Sequence, residues 1–89
     1  MKYTFILSEF VREEIKALPI GDVNRIVKKL RYFASQSNPM AYAKPLTGKF
    51  AGLFRFRIGD YRAIFRKDSD GELIILYVLK IHHRKDIYE

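Results

Sequence analysis

Leu53-Phe54-Arg55-Phe56-Arg57-Ile58-Gly59-Asp60-Tyr61-Arg62-Ala63-Ile64-Phe65-Arg66 sets two alternating apolar/basic runs on either side of Gly59-Asp60. Strict alternation interrupted by a two-residue Gly-X break is the mark of a β-hairpin. Glycine at the first central position predicts a type II′ turn, whose twist matches that of the flanking strands. The register that follows sets Ile58 against Tyr61, Arg57 against Arg62, Phe56 against Ala63 and Arg55 against Ile64. Arg55, Arg57, Arg62 and Arg66 then share one face, and Phe54, Phe56, Ile58, Ala63 and Phe65 share the other. Like charges directly opposite each other destabilise a sheet. Neither run contains an acidic residue to relieve Arg57 and Arg62. The guanidinium fork suits phosphate, so this face is read as an anion-binding surface.

Outward from the hairpin, Lys2 to Leu7 alternates like a first strand. Ser8 is placed to cap a helix reaching about Leu18, with Val11, Ile15 and Leu18 as its apolar stripe. Pro19-Ile20-Gly21 breaks it, and Asp22 opens a second helix to about Ser35. There Val23, Ile26, Val27, Leu30, Phe33 and Ala34 follow helical spacing, while Arg25, Lys28, Lys29 and Arg31 read as a solvated outer face. Ser35 to Pro45, with Asn38-Pro39 and Lys44-Pro45, reads as a loop. Asp68-Ser69-Asp70-Gly71 is a second turn signal, and Glu72 to Ile81 is a long apolar strand expected to be covered on both faces. The order is β-α-α-β-β-β with a short polar tail. The fold expected is α+β: an N-terminal strand, a helical hairpin, then an antiparallel three-stranded meander.

The chain has 89 residues, enough for one small domain, 1–89. It contains seven Phe and six Tyr to build a core. Cysteine is absent, which excludes disulfides, thiolate metal sites and a cysteine nucleophile. The apolar run Tyr3 to Leu7 is too short for a secretory segment or a membrane span, so a cytoplasmic protein without membrane contact is expected. Seventeen Lys/Arg against ten Asp/Glu give a net charge of +7, and the pI is near 9.8. Such a balance favours polyanionic partners, because cations displace counterions condensed on phosphates. Walker, GxGxxG, HExxH and GxSxG patterns do not occur. His82 and His83 are adjacent and point to opposite sides of an extended chain, a poor chelate, so neither a metal nor another cofactor is expected.

Leu46-Thr47-Gly48, the run Gly52 to Phe65, and the ending His83-Arg84-Lys85-Asp86-Ile87-Tyr88 together resemble the RelE/ParE toxin superfamily over essentially the whole chain. Members of the RelE branch are small basic ribonucleases that enter the ribosomal A site, cut messenger RNA, and are silenced by a partner antitoxin. The resemblance implies a metal-independent cleavage in which the 2′-hydroxyl of the RNA attacks the adjacent phosphate. The products are a 2′,3′-cyclic phosphate and a 5′-hydroxyl. It implies that Arg62 and Arg84 hold the scissile phosphate and that Arg57 stabilises developing charge. Tyr88 stacks on a base or assists proton transfer, and His83 is an acid or base. Lys49, Arg55, Arg66 and Lys85 are read as further contacts to RNA phosphates. Some relatives carry lysine where this chain has Arg55 and Arg57. Arginine, with a pKa above about 12, is a poor general base. Either His83 or a mainly electrostatic mechanism fills that role. The alternatives are a ParE-like poison of DNA gyrase, and an inactive member that acts with its antitoxin as a corepressor on operator DNA.

Overall fold

The computed structural model describes residues 3–80. Thr4–Leu7 forms strand β1, and Ser8 then caps helix α1, Glu9–Glu14, by accepting the Val11 N–H at 3.1 Å. The first helix is shorter than its stripe suggests, tightening into a 3-10 turn over Ile15–Ala17 before Leu18 turns extended. Helix α2, Ile20–Ala34, starts two residues ahead of Asp22. Pro19 provides the reason: its fixed φ leads into the helix, and its carbonyl accepts the Asp22 and Val23 N–H groups at 3.0 and 3.1 Å. A 3-10 turn at Pro39–Tyr42 leads to the two-residue strand β2, Lys44–Pro45. After another 3-10 turn, Gly48–Phe50, come β3, Phe54–Ile58, β4, Tyr61–Lys67, and β5, Glu72–Lys80. No described helix is long and apolar enough to cross a membrane.

The strands form a five-stranded sheet in the order β1-β5-β4-β3-β2. The fold is α+β as expected, but the three-stranded antiparallel meander is only its centre. β1 pairs with β5 in parallel, Phe5 beside Leu73 and Leu7 beside Ile75, and β2 adds an antiparallel edge next to β3. An unpaired strand edge carries costly free N–H and C=O groups. The long β5 offers β1 a place to satisfy its own. Pro45, lacking an N–H, is tolerated because β2 is an edge strand. β1 stops at Leu7, so the Val78 N–H further along β5 has no strand opposite it. The Glu14 carboxylate accepts that N–H at 3.2 Å.

Both helices close one side of the sheet. Val11 from α1 and Ile26, Leu30 and Phe33 from α2 are buried against Phe56, Ile58, Ala63, Phe65, Leu73, Ile75 and Val78. A column of near-parallel rings runs through this core: Phe33 on Phe56 at 4.3 Å, and Phe56 on Phe65 at 4.3 Å. β5 is not covered on both faces as its apolar run suggested. Tyr77 and Leu79 remain 43% and 45% exposed, and the Tyr77 ring meets that of Phe10 from α1 in a T-shaped contact at 5.6 Å. The apolar run also conceals a bulge. Ile64 pairs with Tyr77 and Phe65 with Ile75, which leaves Leu76 as the extra residue.

One polar bond ties helix layer to hairpin. The buried Tyr61 hydroxyl donates to Asp22 Oδ2 at 2.8 Å. That bond, reinforced by burial, raises the Tyr61 pKa above the usual 10. A raised folded-state pKa stabilises the fold below the unfolded value and ceases to do so as pH climbs through the folded one. Wild-type protein should therefore lose stability more steeply above about pH 10 than Tyr61→Phe does, as read by melting temperature against pH. Parallel profiles would remove the Asp22–Tyr61 bond from the account. Phe56→Ala empties the centre of the ring column and should cost about 3–5 kcal/mol in urea unfolding. Arg66→Ala, at an exposed position, should stay within about 0.5 kcal/mol of wild type.

Candidate nucleic-acid interface

The hairpin turn fixes where the arginines stand. Gly59 has φ 58°, and Asp60, like every other described non-glycine residue, has negative φ. This is the type II′ pattern that Gly-X predicts. The strands pair Ile58 with Tyr61, Arg57 with Arg62, Phe56 with Ala63 and Arg55 with Ile64, the register read from the sequence. In a two-residue hairpin the closing pair exchanges hydrogen bonds, so Arg57 and Arg62 form the next, non-hydrogen-bonded pair. There Cα atoms approach to about 4.5 Å and side chains are closest. Gly59 also lies against α2, since a Cβ built on it would sit 3.6 Å from an Arg25 guanidinium nitrogen.

Arg55, Arg57, Arg62 and Arg66 all project from the side opposite the ring column. Arg57 and Arg66 are exposed, and Arg55 and Arg62 are half-buried. The four are not one cluster. Arg66 lies four residues beyond Arg62, about 13 Å along β4, and pairs with Ile74 at the far end of the sheet. Its charge contributes to lowering the Asp68 pKa, after the larger effect of the backbone N–H that Glu72 donates to that carboxylate. Lys44 takes its place in the group, because β2 sets it directly across from Arg55. Sequence reading missed this residue: a two-residue strand containing proline has no periodicity to detect. The cationic patch is therefore Lys44, Arg55, Arg57 and Arg62. Among the described residues, the ion pair within 4.0 Å is Lys16–Glu13, on α1 and the turn after it, so the patch has no carboxylate partner there.

Lys49 sits exposed in the Gly48–Phe50 turn, outside the register that gathers the arginines. His83, Arg84, Lys85 and Tyr88 lie outside the described residues. The described part of β5 ends with Leu79 opposite Arg62 and Lys80 opposite Tyr61, so it finishes at the hairpin-turn end of the sheet. Lys44, Arg55, Arg57 and Arg62 thus form a cradle of positive charge suited to phosphate oxygens. The guanidinium forks of Arg55, Arg57 and Arg62 offer paired N–H donors whose geometry matches phosphate oxygens.

Comparison with known proteins adds an independent line. A family model described as the ParE toxin of the type II toxin–antitoxin system parDE matches residues 17–88. Toxin RelG of Mycobacterium tuberculosis is 32% identical over 88 residues, covering 99% of this chain and 98% of that one. The toxin–antitoxin complex RelBE2 from M. tuberculosis superposes with a TM-score of 0.81 at 28% identity, over 90% of this chain and 99% of that one. The archaeal RelE–RelB complex from Pyrococcus horikoshii shares the fold at a TM-score of 0.68 and 23% identity, over 90% of this chain and 96% of that one.

The facing guanidinium groups carry a measurable cost. Replacing Arg57 by threonine, a good strand former, should raise stability by about 0.2–1 kcal/mol in low-salt urea unfolding. The same change should reduce the rise in melting temperature that inorganic phosphate gives the wild type. A variant that is less stable, yet equally responsive to phosphate, would show that the pair is not an anion site.

Proposed function

Because the chain belongs to the RelE/ParE toxin superfamily and is the toxin of a type II toxin–antitoxin system, we propose that it is an endoribonuclease that cuts messenger RNA on the translating ribosome. The observation that carries this reading is the Arg57–Arg62 pair, flanked by Arg55 and Lys44, on an exposed sheet face. An arrangement that costs stability is accounted for when a polyanion fills it. Arg62 and Arg84 hold the non-bridging oxygens of the scissile phosphate. The 2′-hydroxyl of the preceding nucleotide attacks phosphorus, its proton passing to His83 or to solvent. The bond from phosphorus to the 5′-oxygen breaks and that oxygen takes a proton from Tyr88 or solvent, giving a 2′,3′-cyclic phosphate and a 5′-hydroxyl. Arg57 stabilises the charge that builds on the pentacoordinate phosphorus, where fixed donors contribute most. Arg55, Lys44 and Arg66 bind flanking phosphates, joined by Lys49 and Lys85, and Tyr88 stacks on a base or assists proton transfer. The protein works in the cytoplasm and is held inactive by a cognate antitoxin, a partner supported by the toxin–antitoxin complexes among its structural relatives.

A second reading draws support from the matching family model, which is that of ParE. On that reading the same cationic face engages DNA gyrase or its DNA and no RNA is cut. The two differ in what a translation reaction shows. With a defined message and primer extension, new 5′ ends inside codons should appear only while ribosomes translate. Arg62→Ala and Arg84→Ala should each remove those ends and the growth arrest while leaving the fold intact. Intact message together with gyrase-dependent double-strand breaks would replace the ribonuclease reading with the gyrase one.

A further inference from the structure

From Val23 to Gly59 the chain contains no acidic residue, while Lys28, Lys29, Arg31, Lys44, Arg55 and Arg57 all lie within it. Two exposed aromatic rings stand inside this cationic belt. Tyr32 on α2 and Tyr42 at the end of the Pro39–Tyr42 turn are each 46% exposed, with ring centroids 6.0 Å apart and planes at 70°. Core packing does not account for them, because Phe33 beneath closes the ring column without them and is itself only 4% exposed. Phe33 lies 5.8 Å from Tyr32 and 5.4 Å from Tyr42 and so backs the pair with a rigid floor. Lys29 Nζ lies 5.0 Å from the Tyr32 ring centre and 5.5 Å from that of Phe33, an ammonium held over the aromatic faces.

We propose that Tyr32 and Tyr42 form a nucleobase-stacking subsite that grips single-stranded RNA outside the cleavage site. The inference rests on the ribonuclease reading and deepens it by naming a second contact for the same substrate. Aromatic rings interleaved with lysines are the usual platform for single strands, since every base has a π-face and every nucleotide a phosphate. The route between the two sites is short. Tyr42 precedes Lys44 by two residues, at most about 7 Å of chain. Lys44 faces Arg55 across the sheet edge, and Arg55 is one alternation from Arg57. A strand whose scissile phosphate sits at Arg57 and Arg62 therefore passes over Lys44 and turns the sheet edge to reach Tyr42. Lys28 and Lys29, exposed on α2, take its phosphates there.

The test is fluorescence anisotropy with the purified free protein and a labelled 2′-O-methyl oligoribonucleotide of about twelve residues, which has no attacking hydroxyl. Tyr42→Ala and Tyr32→Ala should each weaken binding about tenfold, the scale of one lost base stack. Tyr42→Phe keeps the ring and should bind within about twofold of wild type. Abasic sites in the oligonucleotide should weaken binding to wild type but add little in the Tyr32→Ala/Tyr42→Ala double variant. Equal wild-type affinity for intact and abasic oligonucleotides would overturn the proposal. So would a Tyr42→Phe defect as large as that of Tyr42→Ala. Unchanged RNA affinity in both alanine variants, with antitoxin binding lost, would assign the pair to a protein partner and overturn it as well. Failure of the ribonuclease reading looks different: Arg57→Ala and Arg62→Ala would then leave affinity for the oligonucleotide untouched.

Discussion

Everything in this protein depends on the register of one hairpin. Side chains alternate across a strand, so a slip of one residue between β3 and β4 would exchange every inward residue for an outward one. Here a slipped β3 would carry Arg55 and Arg57 toward the helices and expose Phe56, and a slipped β4 would do the same with Arg62 and Phe65. Burying unpaired guanidinium groups costs several kcal/mol each, far more than any competing pairing returns. The aromatic column Phe33–Phe56–Phe65 supplies the positive half of the same choice. The cationic face is thus held by the core behind it. Like charges remain opposed at Arg57 and Arg62 because their local repulsion, about 1 kcal/mol at most, is small beside the cost of moving either.

The four residues at the hairpin tip divide the work among them. Gly59 supplies the positive φ of the turn and leaves room for Arg25 from α2. Asp60 completes the turn. Tyr61 points inward, and its hydroxyl reaches Asp22 in the first turn of α2. Arg62 points outward to the anion face. Tyr61 is thereby a positioning residue: it clamps the tip against the helix layer from which Arg62, on the next residue, faces away. The motif is a unit of structure carrying a single outward-facing cation.

The hairpin was legible in the sequence residue by residue, because alternation and turn chemistry are local and reinforce each other. The Ser8 cap and the apolar stripe of α2 were legible for the same reason. What escaped was long-range or short. The parallel partnership of β1 with β5 joins segments almost seventy residues apart and leaves no local pattern. β2 has only Lys44 and Pro45, so the lysine that completes the cationic patch looked like part of a loop. β5 misled in another way. An unbroken apolar run shows that a strand is hydrophobic but does not show that both faces are covered, and its bulge at Leu76 disturbs the alternation that would have told them apart. The site was readable where it is built on the hairpin and unreadable where it draws on a sheet edge.

The division between sheet and tail also bears on mechanism. Each cation that the sheet contributes to the patch is an arginine or a lysine, and the patch holds no histidine or carboxylate. In the proposed reaction such a surface binds phosphate and stabilises developing charge. Proton transfer in the proposed reaction must then come from elsewhere, and the only histidines of the chain are His82 and His83, which lie outside the described residues. Leu79 pairs with Arg62, so β5 runs beside the arginine proposed to take the scissile phosphate. Electrostatics are built into the rigid hairpin, and titratable chemistry is assigned to the segment that follows its neighbour.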